Sequence, residues 1–228
     1  MDKLIILNWK MQPTSLNKAL IYFKKLNKIL NKKIRGKIYI APPSLYALIL
    51  KKKFKEYKIG LQNAFYLPTG PFTGEISLHM IKKNNLDFVI LGHSERKLIF
   101  GENLETILKK LKSSLNLKIK TIFCFENIIE IKKLKRYFKK IENYKNYLYL
   151  AYEPKKAIST FGGKSIKIEE LKKIKNDVNK IFPNFKFLYG GSLNEKNIKE
   201  YLEIDGFLIG IKSFKVNFVK KIIKALLR

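Results

Sequence analysis

A lone carboxylate closes the apolar run Tyr147–Tyr152 as Ala151-Tyr152-Glu153-Pro154, and a loop with Gly162 and Gly163 follows. A carboxylate at the tip of a buried strand is placed for proton transfer. Its competing role is a plain surface cap. Other strand-like runs end in residues of the same kind. Asn8 and Lys10 close the first, and Gly92-His93-Ser94-Glu95-Arg96 closes the fourth. Tyr189-Gly190-Gly191-Ser192 closes the seventh, and Asp205-Gly206-Phe207-Leu208-Ile209-Gly210 forms the last. Each has a bland reading: a surface lysine, a helix-start histidine, plain turns. Five such ends together favour chemistry.

Such residues need strands whose tips converge. Eight short apolar runs serve: Leu4–Trp9, Lys37–Ala41, Lys58–Gln62, Phe88–Gly92, Ile119–Cys124, Tyr147–Tyr152, Phe185–Tyr189 and Gly206–Ile209. Their near-continuous apolar character suits strands covered by helices. Between them Ser15–Leu30 places Leu16, Ala19, Leu20, Phe23, Leu26, Ile29 and Leu30 at helical spacing, with Thr14 or Ser15 as cap. Ile166–Ile181 and Phe214–Leu227 repeat the pattern. About eight β-α pairs predict an α/β fold, a (β/α)8 barrel slightly shorter than the roughly 250 residues typical of one. A doubly wound open sheet would carry a glycine-rich turn after its first strand, where this chain has Asn8-Trp9-Lys10. No linker or repeat divides residues 1–228, so a single domain is expected.

Composition narrows the class. Of 228 residues, 46% are hydrophobic, enough for a folded core. No apolar run approaches a membrane span, and the start lacks a signal-peptide layout. Cys124 is the only cysteine, so no internal disulfide forms and a cytoplasmic location is expected. The net charge of +30 raises a rival function, a salt-sensitive binder of nucleic acid or an anionic surface. Biased composition competes with it: arginine, the preferred reader of phosphates and bases, occurs only at 35, 96, 136 and 228, and lysine is spread over nearly every helix. Nucleic-acid binding is expected only as a non-specific electrostatic effect.

The chain closely resembles the triosephosphate isomerase family. The matching segments are Asn8-Trp9-Lys10-Met11, Gln62-Asn63 with Phe72-Thr73-Gly74-Glu75, Leu91-Gly92-His93-Ser94-Glu95-Arg96, Ala151-Tyr152-Glu153-Pro154, Tyr189-Gly190-Gly191-Ser192 and Asp205–Gly210, in the family's order from end to end. The resemblance implies a TIM barrel that interconverts dihydroxyacetone phosphate and glyceraldehyde 3-phosphate. Glu153 matches the general base, His93 the neutral electrophile and Lys10 the supporting cation, with Asn8 placing substrate and Glu95 near Lys10. A helix starting at Ser94 would aim its positive end at His93 and disfavour the imidazolium. Ile158 and Leu208 match clamp residues whose apolar walls exclude water. Ser159, Ser192, Gly210 and Ile211 match phosphate-binding positions. Thr73, Gly74 and Glu75 match a protruding loop that implies a homodimer. Neither metal nor organic cofactor is implied.

Three departures stand out. The family usually has two glycines where this chain has Gly210-Ile211; if positive φ is needed there, isoleucine impairs phosphate binding and Ile211→Gly lowers KM. Lys156 and Phe161 alter the lid, and Lys97 replaces a frequent second arginine. Together they keep open a catalytically weakened barrel relative. Cys124 is read as core packing, and His79 as a packing or surface residue.

Overall fold

The structure is a computed structural model that describes residues 3–157, 163 and 165–227. Eight parallel strands close into a barrel in chain order: β1 (Leu4–Asn8), β2 (Ile38–Ala41), β3 (Lys58–Leu61), β4 (Phe88–Leu91), β5 (Lys120–Phe125), β6 (Leu148–Tyr152), β7 (Lys186–Tyr189) and β8 (Gly206–Ile209). Closure is made by β1 on β8, with Leu4 opposite Gly206 and Leu7 opposite Ile209. Alternate side chains point inward and outward. Ile6, Tyr39, Ala41, Phe88, Ile90, Ile122, Cys124, Ala151, Leu188 and Leu208 pack together in the lumen. Their neighbours, such as Ile5, Leu7, Ile38, Ile40, Phe123 and Leu150, join the helices in the outer core. Burial on both faces explains why the strands read as apolar blocks.

The strands are those expected, with ends moved by one or two residues. Trp9, Gln62 and Gly92 lie just past their strands, and β5 runs one residue further, to Phe125. Ser15, not Thr14, caps the helix Leu16–Ile29 by accepting from the Lys18 N–H. The helix expected from Ile166 starts at Ile168. Ile166 is held outside it: its N–H donates to the Tyr189 hydroxyl at 3.1 Å, and its carbonyl accepts from the Tyr201 hydroxyl at 2.5 Å. The last helix spans Val216–Leu227, because Ile211–Phe214 form a separate 3-10 turn. None of the described helices is long and apolar enough to cross a membrane.

Candidate active site

The C-terminal ends of β1, β4, β6 and β8 bring the expected residues together. At β1 the chain is anchored from outside. Trp9 is fully buried and packs on Tyr22, Phe23 and Phe214, with ring centroids 4.8, 5.7 and 4.9 Å away. Truncating such a side chain costs about 3–5 kcal/mol. Its neighbours Asn8 and Lys10 line the mouth cavity.

Lys10 has φ 55°, a left-handed conformation that costs a residue with a Cβ about 1–2 kcal/mol. Three hydrogen bonds hold it. The Lys10 N–H donates to Asn8 Oδ1 at 3.0 Å. Gln62 Nε2 donates to the carbonyls of Lys10 at 2.7 Å and Ala41 at 2.9 Å. At about 1 kcal/mol each these offset the strain. The ammonium pairs with Glu95 at 2.5 Å, and a Cβ built on Gly210 would lie 3.3 Å from it, so Lys10 spans from β1 to the end of β8.

His93 is buried and caps the short helix Ser94–Leu98. Its Nδ1 accepts from the Glu95 N–H at 3.2 Å. A ring nitrogen that accepts carries no proton, so the imidazole is neutral with its proton on Nε2. That Nε2 faces Glu153 Oε1 at 3.4 Å. Glu153 is itself buried, and its Oε2 accepts from the Ser94 N–H at 3.1 Å. The Ser94 hydroxyl is buried and has no hydrogen-bond partner. Gly190 makes room for this arrangement: a Cβ there would stand 2.7 Å from Glu153 Cγ.

Cys124 faces the lumen beneath Glu153. Burial, and after it the charge of Glu153, push its thiol well above the ordinary range, which agrees with packing rather than nucleophilic use. Leu208 lies inside β8 in the same lumen cluster, so it contributes to the apolar floor. His79 is partly buried in the helix Leu78–Lys83, with Nδ1 unpartnered.

The phosphate-binding expectations divide. Gly210 has φ −82° and Ile211 opens the 3-10 turn outside the positive-φ region, so isoleucine there is unstrained. The concern about a required left-handed glycine therefore falls away; what remains is a side chain 46% exposed at the mouth. The N–H groups of Gly190 and Ser192 donate to Tyr152 O at 2.9 Å and Ala157 O at 2.8 Å, so neither is free for an anion in this conformation. Ile158, Ser159 and Phe161 lie outside the described residues. Lys156 pairs with Glu170 at 2.7 Å, and Lys97 pairs with Glu130 at 2.7 Å while donating to the Cys124 carbonyl at 3.4 Å.

Sequence reasoning missed two supports. In the sequence Gln62 stands only within a matching segment, yet it fixes the strained turn. Glu126, just past β5, has its carboxyl raised by burial despite the opposing charge of Lys97, and one carboxyl oxygen has no partner. Neither has a periodic signal; both depend on strand ends meeting in space.

A cavity of about 580 Å³ opens beside Asn8, Lys10, His93 and Glu95. Gly74, Glu75, Met11, Ile99 and Phe100 line its far side, and Thr73 is exposed on the loop above. Among the described residues, no three His, Cys, Asp or Glu side chains gather as a metal ion would require.

A closed parallel barrel with a carboxylate, a neutral imidazole and an ammonium at its C-terminal mouth is an enzyme of the (β/α)8 class, equipped for proton transfer. Comparison with known proteins makes the class specific. The family model described as triosephosphate isomerase matches residues 3–226. Similar proteins named triosephosphate isomerase include that of Coprinopsis cinerea, 33% identical with 93% of each chain covered. Those of Orientia tsutsugamushi (strain Boryong) and Aquifex aeolicus are 33% and 34% identical, covering 98% of this chain and 98% and 99% of theirs. The chain belongs to the triosephosphate isomerase family.

Proposed function

We propose that this chain interconverts dihydroxyacetone phosphate and D-glyceraldehyde 3-phosphate through an enediolate, with Glu153 as base and His93 as electrophile. The observation that carries this reading is the neutral His93 ring, fixed by the Glu95 N–H, with its Nε2 3.4 Å from Oε1 of a buried carboxylate. Substrate entering between them takes both partners. Glu153 exchanges the Ser94 N–H for the C–H beside the carbonyl and removes that proton. The bonding pair moves into the C–C bond, and the carbonyl oxygen becomes an oxyanion facing the His93 Nε2–H. The oxyanion takes up the His93 Nε2 proton, and the hydroxyl on the adjacent carbon gives its own proton back to that nitrogen. Return of the proton from Glu153 to the former carbonyl carbon, with a new carbonyl formed beside it, completes the isomerisation. Lys10 faces the same oxygens, and its span toward Gly210 lets it share the phosphate's charge with the mouth formed by Ser192, Gly210 and Ile211. Apolar residues beneath the buried Glu153 carboxylate keep water away from it.

The same reading makes the chain a cytoplasmic homodimer and one domain. Met11 is 92%, Ile99 58% and Phe100 66% exposed on the wall of the mouth cavity, beside a protruding loop that carries Thr73. Covering those side chains with the loop of a second copy would complete the site's wall. A coupled assay of purified protein with glyceraldehyde 3-phosphate tests the activity, with Glu153→Gln as control. Turnover should fall by about 10³-fold or more with an unchanged melting curve. Retained turnover in Glu153→Gln, or none in the parent, refutes the assignment. A sedimentation mass of one chain at micromolar concentration refutes the dimer.

A further inference from the structure

We propose that the opposite, N-terminal mouth of the barrel binds a phosphate monoester, with Lys120 as its floor. Lys120 shares the inward face of β5 with Ile122 and Cys124, and Lys186 shares that of β7 with Leu188. The lower layer of the lumen, normally filled by branched apolar side chains, thus carries the partly buried Lys120, while the Lys186 side chain, 61% exposed, stands at its rim. They open into a recess of about 480 Å³ lined also by Lys145, Asn184 and Tyr149.

Charge in this recess is not balanced. Lys120 is partly buried, and its ammonium donates to the Tyr39 hydroxyl at 3.2 Å. Burial raises the Tyr39 phenol above its ordinary range, so it stays neutral beside the ammonium. Among the described residues no carboxylate pairs with Lys120 or Lys145. Lys186 differs, with Asp205 at 3.5 Å. The Lys120 and Lys145 ammonium groups, neither paired with a carboxylate, therefore line one concave site, and a phosphate dianion matches them in charge. The Asn184 amide adds a neutral donor, and the Tyr149 ring gives an ester's organic part an apolar wall.

The general excess of lysine does not account for Lys120. Many lysines stand in the last turns of helices, such as Lys51–Lys53, Lys82 and Lys83, where they complement the helix dipole. Lys120 starts a strand and faces the lumen. The site also lies at the far end of the barrel from Glu153, so it is independent of the isomerase reading.

Lysine labelling with acetic anhydride, read by mass spectrometry, tests the proposal on the unaltered protein. Inorganic phosphate and adenosine monophosphate are the two probes. Either should slow labelling of Lys120 at least fivefold while leaving exposed Lys18 and Lys215 unchanged. Equal protection by both assigns recognition to the phosphoryl group alone; stronger protection by the nucleotide adds the ester's organic part. Protection of Lys10 reports occupancy of the upper mouth separately, so failure of one site does not imply failure of the other. Lys120→Gln should weaken the lower site at least tenfold with kcat unchanged. Uniform slowing of all lysines, or no protection of Lys120, shows general surface attraction and overturns the proposal.

Discussion

Gly190→Ala tests the active-site geometry with one methyl group. The backbone at Gly190 lies outside the left-handed region, so alanine strains no dihedral. The new Cβ would meet Glu153 Cγ at 2.7 Å, Oε1 at 3.2 Å and Cδ at 3.4 Å. Ordinary contact requires Cγ to retreat by roughly 1 Å. The Gly190 N–H is bonded to the Tyr152 carbonyl at 2.9 Å in the barrel ladder, so the side chain moves more readily than the strand. A displacement of that size at a reacting group costs about 10²-fold in rate, or about 2.7 kcal/mol of barrel-mouth alignment. The loss belongs in kcat, because no group that grips the phosphate moves. Steady-state kinetics in both directions measure it, beside a thermal melt. The expected result is kcat lower by about 10²-fold, KM within about threefold and a melting temperature lowered by only a few degrees. An unchanged kcat would mean that Glu153 does not work from this position.

Three further outcomes follow from other parts of the molecule. Gln62→Leu removes the two bonds to Lys10 O and Ala41 O, costing about 2 kcal/mol and lowering the melting temperature by about 4–8 °C; kcat/KM falls as the Lys10 turn relaxes, and an unaltered melt with full activity would refute the bracing role. Burial holds the phenols of Tyr22, Tyr57 and Tyr189 far above 10 and moves Tyr152 up to about 12. The unfolded chain loses these protons near pH 10 while the folded chain keeps them, so stability is present below about pH 10 and declines above it, by about 1.4 kcal/mol per pH unit for each phenol. Urea titrations between pH 9 and 11 should show that decline, and a flat profile contradicts the buried-phenol account. Ile211→Gly relieves no backbone strain and should change KM by less than about threefold; a larger drop in KM would show that the side chain obstructs the phosphate mouth.

The strands were legible because a parallel barrel buries both faces of each, so Leu4–Leu7 and Phe88–Leu91 appear as unbroken apolar blocks. Glu153, His93 and Lys10 were legible because each stands where such a block ends. Helix starts were harder: Ile166 has the right periodicity for the helix that begins at Ile168, but two tyrosine hydroxyls from β7 and the turn at Tyr201 capture its backbone. The backbone sign at Lys10 and Ile211 was not legible. A composition rule places glycine at positive φ, yet here the lysine adopts it and the isoleucine does not. Which residue takes the strain depends on partners distant in sequence.

That strain gives the site its logic. Left-handed Lys10 survives because Asn8 and Gln62 bond its backbone from both sides, while Trp9 anchors the intervening residue in an aromatic cluster. Relaxing the turn would swing the ammonium off Glu95 and away from Gly210. In the proposed mechanism the cation is therefore placed before substrate arrives and needs no reorganisation when negative charge develops. The same holds across the mouth, where the Glu95 N–H fixes the His93 proton on the inward nitrogen. Glu95 thus fixes both partners, the ammonium through its carboxylate and the imidazole through its backbone, so a shift of the short helix Ser94–Leu98 would disturb both at once. Lys97, tied to Glu130 and the Cys124 carbonyl, secures that helix to the end of β5. A lysine at this position therefore does structural work for the site although it touches none of the reacting groups.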